Sequence, residues 1–465
     1  MNFLERKKQL VRVKREVDLK YELAGVLWKT LKVRGPALLF EKVKGSNMPV
    51  VGGVLGTPRR LGFSLGLSEG DLIDECLTSV NWEKQCKINQ IIQRAISEPT
   101  PYKEVQSGPV KEVTEDKVDL LKLPVPTWFE HDAGPYITGG VVIAKNPMSG
   151  VLNMGVYRIQ IQGKDKLSIY ARPGHDMHTI FKAAEERGEE VDVAIAIGVD
   201  PPTLIAAALS VPPDISELSV AGTLRRTPLN VVPCEIVDLV VPANAEIVIE
   251  GKVDPKTKVK EGPFGEYTGF YSESFCPLAK VTTIYHRANP LFYVCLPGPK
   301  PGHEAFLCIP RLNLAHKILQ KLKAKYWNVE AVAFSGYGIL DHLIVSINKK
   351  SEEEPVAIIN EIFNMDINGE PVASRVKRIT VVDAEDVDIH NLEEVEFAIN
   401  MCTRDRSSVV VIPNVQSPLD IIAKDGLSIR LGIDATKPLA TKTRIGKKVK
   451  IPGLNKIRIE DYLFL

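Results

Sequence analysis

The spacing of apolar residues along the chain changes character twice. Before about residue 115, helix and strand patterns are mixed: Leu10–Val17 alternates as a strand does, and Leu19–Leu31 has helical spacing. Further strands are predicted at Ala37–Val43 and Met48–Leu55, and further helices at Leu72–Val80 and Trp82–Ile96. Residues 1–115 therefore predict an N-terminal α/β domain, with the charged stretch Lys111–Lys117 as a linker at its end.

From residue 116 to 310, short β-branched runs separated by glycine and proline predominate. They predict strands at Gly139–Ala144, Val156–Ile161, Val191–Gly198, Ile236–Val241 and Ile247–Glu250. One helix, Thr179–Arg187, lies among them and is followed by Gly188, a residue type that commonly ends helices. Many short strands with inserted helices predict a central barrel or sandwich domain.

From residue 311 to 465, strands and helices alternate again. Helices are predicted at His316–Lys325 and Pro355–Asn364, and strands at Val329–Ala333, Leu343–Ile347, Ile379–Val382 and Val409–Ile412. This alternation predicts a C-terminal α/β domain. The tail, Ile457–Leu465, is expected to dock on a neighbouring subunit.

Charge and composition argue against several classes of protein. The 465 residues carry 59 Lys and Arg against 58 Asp and Glu, so no basic excess indicates a nucleic-acid or acidic-membrane partner. No apolar run approaches the roughly 18–20 residues of a membrane span, and Met1–Lys8 has charges where a signal peptide is apolar. We therefore expect a cytoplasmic protein. Seven scattered cysteines without a C-x-x-C pair argue against a disulfide framework or a structural zinc site.

The common nucleotide-binding and hydrolase signatures are absent, which leaves polar residues in glycine-flanked segments as candidates. They are Asn153, Arg158, His175, His178, Glu217 and the segment Glu261–Gly269, in which Glu261 and Glu266 flank a Gly-Pro turn. Each has an ordinary structural explanation when taken alone. Asn153 can cap a turn, Glu217 can be an acidic residue in the first turn of a helix, and turn glutamates can simply be exposed.

Taken together and in order, these segments resemble the UbiD family of decarboxylases. The pattern N-x-x-x-x-R matches Asn153 to Arg158, and the more specific pattern E-G-P-[FY]-G-[ED]-x-x-G matches Glu261 to Gly269. Further family-like segments span nearly the whole chain: Asp119–Pro124, Ala133–Thr138, Gly198–Pro202, Ser216-Glu217 and Leu431–Thr436. The resemblance implies a central split β-barrel that binds prenylated flavin mononucleotide (FMN).

The resemblance also implies a Mn²⁺-type ion that bridges the flavin phosphate. Its ligands would be Asn153, Glu217 and a histidine, and this mixture of amide, carboxylate and one imidazole suits Mn²⁺ better than zinc. His175 is favoured because it follows an Arg-Pro pair, and His178 is the alternative. A potassium ion is expected close by, on backbone carbonyls near Ser210 and Val211.

The other flavin contacts that the resemblance implies are Gly155, Val156 and Tyr157 beside Asn153. Arg158 would also contact the flavin. Arg430 would contact the flavin phosphate, at a position where the family more often has lysine.

The implied reaction is a reversible, non-oxidative decarboxylation of an aromatic or α,β-unsaturated carboxylic acid. The flavin would act as the electron sink, since no amino-acid side chain offers one. Arg158 would orient the substrate carboxylate, Glu266 would donate the replacing proton, and Glu261 would hold Arg158 in place.

Two other functions remain open from the residues. One is an FMN-dependent oxidoreductase on a split barrel, and the other is a non-enzymatic module that binds a metal and a phosphate ligand. The resemblance leaves the substrate open among hydroxybenzoates, polyprenyl-4-hydroxybenzoate, cinnamic-type and heteroaromatic acids, and an archaeal mevalonate-derived phosphate. It further implies a flavin prenyltransferase that supplies the cofactor, and a homodimer or larger homo-oligomer.

Overall fold

The computed structural model describes most of the chain. The described residues are 1–69, 79–81, 87–303, 308–335, 341–367, 369–417, 420 and 423–441, with a few positions of the C-terminal tail. Most of the predicted docking tail and of the predicted helix Leu72–Val80 lies outside these residues.

The N-terminal part combines helices with a small sheet. Its elements are α1 (Asn2–Arg6), β1 (Leu10–Val13), α2 (Glu22–Lys32), β2 (Ala37–Phe40), β3 (Val50–Gly52), α3 (Pro58–Ser64), β4 (Ser79–Asn81) and α4 (Lys87–Ser97). The predicted strands are found with shorter bounds, and the predicted helix Leu19–Leu31 is found as α2. Of the predicted helix Trp82–Ile96, residues 82–86 lie outside the described residues and the rest is in α4. Ser79 and Val80 are an exception, because they lie in a strand where the apolar spacing predicted the end of a helix.

The central part is dominated by strands. Its elements are β5 (Lys103–Glu104), β6 (Val113–Thr114), β7 (Tyr136–Ile137), β8 (Gly140–Lys145), β9 (Leu152–Val156), β10 (Arg158–Ile161), β11 (Lys166–Tyr170), α5 (Asp176–Arg187), β12 (Val191–Ile197), α6 (Pro201–Ala206), α7 (Glu217–Arg225), β13 (Asn230–Pro233), β14 (Val240–Pro242), β15 (Ile247–Gly265), β16 (Tyr271–His286) and β17 (Phe292–Val294). The strand order β7-β10-β11-β16-β15-β12-β8-β9 forms one antiparallel sheet, which is the half-barrel of the molecule.

Helix α5 shows how local sequence positions an element beside this sheet. Its buried residues Met177, Ile180, Phe181 and Ala184 recur at the spacing that gives a helix one apolar face. The helix ends at Gly188 in the left-handed conformation, as the sequence predicted. It begins at Asp176, three residues earlier than predicted, so His175 is its N-cap residue.

The C-terminal part is a layered α/β unit. Its elements are α8 (Cys308–Lys323), β18 (Val329–Phe334), β19 (Asp341–Ile347), α9 (Glu354–Phe363), β20 (Asp366–Ile367), β21 (Glu370–Pro371), α10 (Val372–Arg375), β22 (Val376–Asp383), α11 (Leu392–Cys402), β23 (Val409–Gln416) and β24 (Leu427–Ala435). Its mixed sheet has the order β23-β24-β22-β19-β18-β4. The predicted alternation of strands and helices is confirmed here.

Two sequence predictions in the central part were wrong in detail. Of the predicted strand Ile236–Val241, only Val240 and Val241 are in a strand, because the backbone N–H groups of Ile236 and Val237 donate to the buried carboxylate of Glu250. The predicted linker Lys111–Lys117 contains β6, which pairs with β16. A charged stretch can therefore still join the ladder of a sheet edge.

Strand pairing crosses both predicted domain limits. Strand β17, from the central stretch, pairs in parallel with β3, and β4, from the N-terminal stretch, pairs with β18 of the C-terminal sheet. The limits at residues 115 and 310 stay a prediction, but the three parts share sheets rather than being joined only by linkers. Among the described residues, no helix is long and apolar enough to cross a membrane.

Candidate active site

Arg158 lies at the first position of β10 and reaches the two glutamates of the E-G-P-F-G-E motif. Its Nη2 donates to Glu261 Oε2 at 2.5 Å, and its Nη1 donates to Glu266 Oε1 and to Ser272 Oγ, the latter at 3.1 Å. The side chains of Arg158, Glu261 and Glu266 are only 8%, 0% and 14% exposed. Arg158 with its partners Glu261 and Glu266, here called the fork, is thus held largely out of water. Charge-assisted hydrogen bonds are strong in such surroundings.

Aromatic rings cover the guanidinium of Arg158. Its central carbon lies 3.9 Å from the ring centre of Tyr170 and 4.9 Å from that of Phe264. Tyr170 is brought there by the antiparallel pairing of β10 with β11, in which Arg158 stands opposite Tyr170. The planar guanidinium is therefore fixed by stacking as well as by its two carboxylate partners.

The turn between the two glutamates depends on glycine. Gly262 has a φ of +95°, and a Cβ there would lie 2.7 Å from the carbonyl oxygen of Ser272 on β16. The register between β15 and β16 shifts between Glu261 and Phe264, so this segment is a bulge in the sheet. Bulges redirect side chains, and this one lets Glu261 and Glu266 reach the same arginine.

Asp132 fastens this turn from a distant part of the chain. Its Oδ1 accepts from the N–H of Gly265 at 2.8 Å, and its Oδ2 accepts from the N–H groups of Trp128 and Phe129. Burial raises the pKa of Asp132, and these backbone donors oppose the rise. Burial likewise raises the pKa of Glu261, while the charge of Arg158 opposes that rise. Asp132 and Glu261, which hold the turn and Arg158 in place, are therefore themselves buried and held by hydrogen bonds.

Asn153 and Glu217 meet in a second cluster. Glu217 is the first residue of α7, and its carboxylate accepts from Asn153 Nδ2 at 3.1 Å and from the N–H of Met154 at 2.8 Å. Asn153 Oδ1 is buried and has no hydrogen-bond partner among the residues that the structure describes. Burial raises the pKa of Glu217 to about 8. A free amide oxygen beside a buried carboxyl without a cationic partner is a donor set that a hard divalent cation would satisfy.

The cavity at this cluster brings in one residue that the sequence did not single out. A small cavity of about 30 Å³ is lined by Asn153, Glu217, Val211 and also Asp176, the first residue of α5. Val211, whose carbonyl was expected to hold potassium, therefore lies at the cluster, whereas Ser210 is exposed. An acidic residue in the first turn of a helix is a signal that could have indicated Asp176. The signal was missed because the helix was predicted to start three residues too late.

His175 lies beside this cluster rather than within it. Its ring centre is 5.9 Å from that of Tyr157, and burial, followed by the charge of Arg172, lowers its pKa to about 3. His175 is thus a neutral imidazole, the form that binds metals. His178 Nδ1 instead donates to the carbonyl oxygen of Ala171 at 3.2 Å.

Within the described ranges, no three His, Cys, Asp or Glu side chains are close enough together to form a metal site. The pair Asn153 and Glu217 is formed, while the place of His175 as a third ligand stays a prediction.

The remaining flavin candidates are divided between two parts of the fold. Gly155 and Val156 continue from Asn153 along β9, and Tyr157 follows directly after its last residue. A Cβ on Gly155 would lie 2.6 Å from the Tyr157 ring. Arg430 is buried in the C-terminal part, where its guanidinium donates to the carbonyl oxygens of Ala373 and Ile429 and to Ser417 Oγ. Three of its five N–H groups thus donate within the protein, and its role at a flavin phosphate stays a prediction.

Sequence reasoning missed the partners that complete the fork. Tyr170, Ser272 and Asp132 lie in unremarkable stretches, and only strand pairing and the bulge bring them to Arg158 and its turn. No local signal marks them, because each contact joins residues far apart in the chain.

Comparison with known protein families finds matches over most of the chain. Models of 3-octaprenyl-4-hydroxybenzoate carboxy-lyase match in chain order: the N-terminal domain over residues 1–80, the Rift-related domain over 103–300 and the C-terminal domain over 311–435. An anhydromevalonate phosphate decarboxylase from Methanothermobacter thermautotrophicus is 31% identical over 448 residues, which cover 95% of this chain and 97% of that protein.

Solved structures give the same result. The UbiD-class enzyme HmfF from Pelotomaculum thermopropionicum, in complex with FMN, is 34% identical with a TM-score of 0.85, over 99% of this chain and 98% of that one. The open form of vanillic acid decarboxylase from Sedimentibacter hydroxybenzoicus is 27% identical with a TM-score of 0.80, over 98% and 95%. The prediction of a mixed α/β fold in three parts with a half-barrel sheet is confirmed at that level. From its motifs, its fold and these matches together, the chain belongs to the UbiD family of carboxy-lyases.

Proposed function

We propose that this carboxy-lyase decarboxylates an aromatic or α,β-unsaturated carboxylic acid, reversibly and without net oxidation, with prenylated FMN as cofactor. The observation that carries the proposal is the buried fork of Arg158 between Glu261 and Glu266. A lone redox flavin site has no evident need for an arginine held by two carboxylates. A carboxylate substrate does, because its recognition requires a fixed cation and its product requires a new proton.

Arg158 is placed to bind the substrate carboxylate. Its Nε is buried without a hydrogen-bond partner among the described residues, and its Nη1 is shared between Glu266 and Ser272. Glu261, which is fully buried, holds Nη2 and keeps the guanidinium plane fixed against Tyr170. A substrate carboxylate therefore meets N–H donors that are already oriented. The arginine side chain loses little further conformational freedom when the substrate binds.

Glu266 is placed to deliver the proton. It is the most accessible member of the fork and accepts from Ser272 Oγ at 2.8 Å. Decarboxylation replaces the carboxylate by a proton at the same carbon, so the donor must lie beside the group that held the carboxylate. Glu266 meets that condition, and Ser272 keeps its carboxyl turned towards Arg158.

The residues of the second cluster fit the implied cofactor and metal. Asn153 Oδ1 and the Glu217 carboxylate would hold a Mn²⁺-type ion, with His175 as the third proposed ligand and the Val211 segment beside a potassium ion. Gly155 and Val156 on β9, and Tyr157 directly after it, would contact the flavin. When bound, the modified flavin supplies the electron sink that the side chains lack.

Relatives that are named for their substrates act on different kinds of acid. One relative is named for the decarboxylation of anhydromevalonate phosphate, and one solved structure for that of vanillic acid. For this chain we propose a test in which the protein is produced together with a flavin prenyltransferase. The purified protein is then supplied with aromatic and unsaturated acids, including phosphorylated ones. Release of carbon dioxide from one of them is the expected result. If the flavin-loaded protein leaves all the acids unchanged, the proposal is contradicted.

The metal ligands give a separate prediction. His175→Ala is expected to lose both the metal and the tightly bound flavin, because it removes a neutral imidazole beside the Asn153–Glu217 pair. His178→Ala is expected to lose less, since its Nδ1 is already engaged by the carbonyl of Ala171. Metal content by mass spectrometry and flavin absorbance check both variants. Equal metal content in the wild type and the His175 variant would show that His175 is not a ligand.

Self-association gives another prediction. We propose a homodimer or larger homo-oligomer in solution, and an evolved form of HmfF has been solved as a dimer. Light scattering at micromolar concentration is expected to give at least twice the mass of 51.4 kDa. A monodisperse monomer would contradict the prediction.

A further inference from the structure

A cavity of about 490 Å³ lies where the N-terminal part meets the central part. Its size falls within the range of about 300–1,000 Å³ that is usual for small-molecule sites. Among the described residues that line it, none is proposed above for catalysis, metal binding or flavin binding. The cavity is therefore a candidate for a second ligand site.

The two parts line this cavity with different side chains. The N-terminal part contributes mainly apolar ones, which include Phe3, Leu4, Val51, Val54 and Phe63. The central part contributes two ion pairs. Arg225 Nη1 donates to Asp200 Oδ2. Arg287 Nε lies 3.7 Å from Glu246 Oε1. These four charged side chains are between 18% and 30% exposed, so a ligand here would meet apolar surface and partly buried charge together.

The arginines of these pairs have hydrogen-bond donors to spare. Arg225 Nε is buried and has no hydrogen-bond partner among the described residues. Arg287 donates through Nε and Nη2 to the carbonyl oxygens of Ala245 and Asn244, which leaves its Nη1 for another acceptor. Unpaired donors away from water are unfavourable, so an acceptor that reaches both arginines would be stabilised.

The two carboxylates, in contrast, already have partners besides the arginines. Asp200 Oδ1 accepts from the N–H and the hydroxyl of Thr203, and Glu246 Oε2 accepts from the N–H of Leu291 at 3.1 Å. Arg60 adds a third positive charge to the lining, against these two negative ones. Spare donors and an excess of positive charge favour an anion over a cation.

The charged side of the cavity is built by Gly198–Pro202, a family-like segment that the proposed function does not use. Gly198 has a φ of +71°, and a Cβ there would lie 2.4 Å from Glu246 Cγ, so glycine lets the Glu246 side chain approach this closely. Asp200 is the N-cap residue of α6, and its Oδ1 accepts from the N–H of Thr203 at 3.1 Å. The carboxylates that hold the two arginines are thus themselves fixed in position.

Helix α7 separates this cavity from the proposed metal ligands. Glu217 is the first of its nine residues and Arg225 is the last. At about 1.5 Å of rise per residue, the two ends of the helix lie roughly 12 Å apart. A ligand in the cavity would therefore not occupy the place of a metal at Glu217.

We propose that this cavity binds an organic carboxylate monoanion with an apolar body, as a second site outside the active site. The carboxylate would accept hydrogen bonds from Arg225 and Arg287, and the body would pack against the apolar side chains of the N-terminal part. Its single negative charge matches the excess of one positive charge in the lining. The proposed function uses none of these residues, so the site goes beyond it.

Octanoate is the probe for this site, because it has the carboxylate and the apolar body but lacks the unsaturation of the proposed substrates. Calorimetric titration of the full-length protein is expected to show octanoate binding, and uncharged octanol is expected to bind at least about 10-fold more weakly. Arg225→Gln and Arg287→Gln are each expected to weaken octanoate binding by at least about 10-fold, the scale of a lost charge-assisted hydrogen bond. Val54→Phe fills the apolar side and is expected to abolish binding while both arginines stay in place.

Two control variants make the result specific. Arg187→Gln is matched to Arg225→Gln, because Arg187 is also the last residue of a helix, α5, but is not among the described residues that line the cavity. Arg158→Lys weakens carboxylate binding in the proposed active site. Both controls are expected to keep the wild-type affinity for octanoate.

Melting temperatures show whether each variant folds, and Val54→Phe tests the site without breaking an ion pair. The proposal is overturned if the wild type does not bind octanoate at millimolar concentration. Wild-type affinity of both Arg225→Gln and Val54→Phe, or a loss confined to Arg158→Lys, would overturn it as well. The titrations do not measure decarboxylation, so a failure of the proposed function remains distinguishable.

Discussion

Glu266→Gln is expected to lower turnover by at least about 10²-fold while metal, flavin and substrate still bind, because the variant loses only the proton that must be delivered. Glutamine has the size of glutamate and can still accept hydrogen bonds from Arg158 Nη1 and Ser272 Oγ. Its amide cannot give up a proton to a carbon atom. Carbon dioxide release under saturating substrate measures the loss, and flavin absorbance and metal content show that the site is still loaded.

Glu273→Gln is the matched control for this variant. Glu273 lies on the same strand as Ser272 but is exposed and pairs with Lys260 at 3.0 Å. The control is expected to turn over at the wild-type rate. Near wild-type turnover of Glu266→Gln with any true substrate would show that another group donates the proton.

Arg158→Lys is expected to lower kcat/KM by at least about 10²-fold. In the wild type, the two terminal nitrogens of Arg158 contact Glu261 and Glu266 separately. The single ammonium group of lysine cannot make both contacts and also present two parallel donors to a substrate carboxylate. The variant also loses the stacking of the guanidinium on Tyr170 and leaves the buried Glu261 with a weaker partner. We therefore expect its melting temperature to fall as well. Steady-state kinetics and thermal unfolding measure the two effects.

Arg12→Lys tests whether that loss comes from burial and position rather than from the substitution itself. Arg12 also bridges two glutamates, Glu5 at 2.5 Å and Glu41 at 3.0 Å, but on the exposed surface. Surface ion pairs contribute about 0–1 kcal/mol, so this control is expected to change neither kinetics nor stability appreciably. A fully active Arg158→Lys would mean that the positive charge alone suffices.

Local sequence was enough to predict many of the helices and strands of this protein and its family. The apolar spacing and Gly188 were enough to predict helix α5, and the alternation beyond residue 310 was enough to predict the C-terminal α/β part. The ordered set of family-like segments, of which Glu261 to Gly269 is the most specific, was enough to identify the family, because each motif consists of a few neighbouring residues. Such features can be predicted from sequence since their physical causes are local: periodicity, helix ends and turns that need a positive φ.

Only the tertiary structure decided which distant residues meet. Tyr170 and Ser272 reach Arg158 through strand pairing, and Glu217 reaches Asn153 because α7 begins beside β9. The apolar spacing that predicted a helix as far as Val80 could not show that β4 pairs with β18. Arg172 and Arg375 are 203 positions apart by their numbers, and nothing in either local sequence indicates that they share Glu370. The physical reason is that pairing register, bulges and ion pairs between parts depend on contacts across the whole fold, which no window of sequence contains.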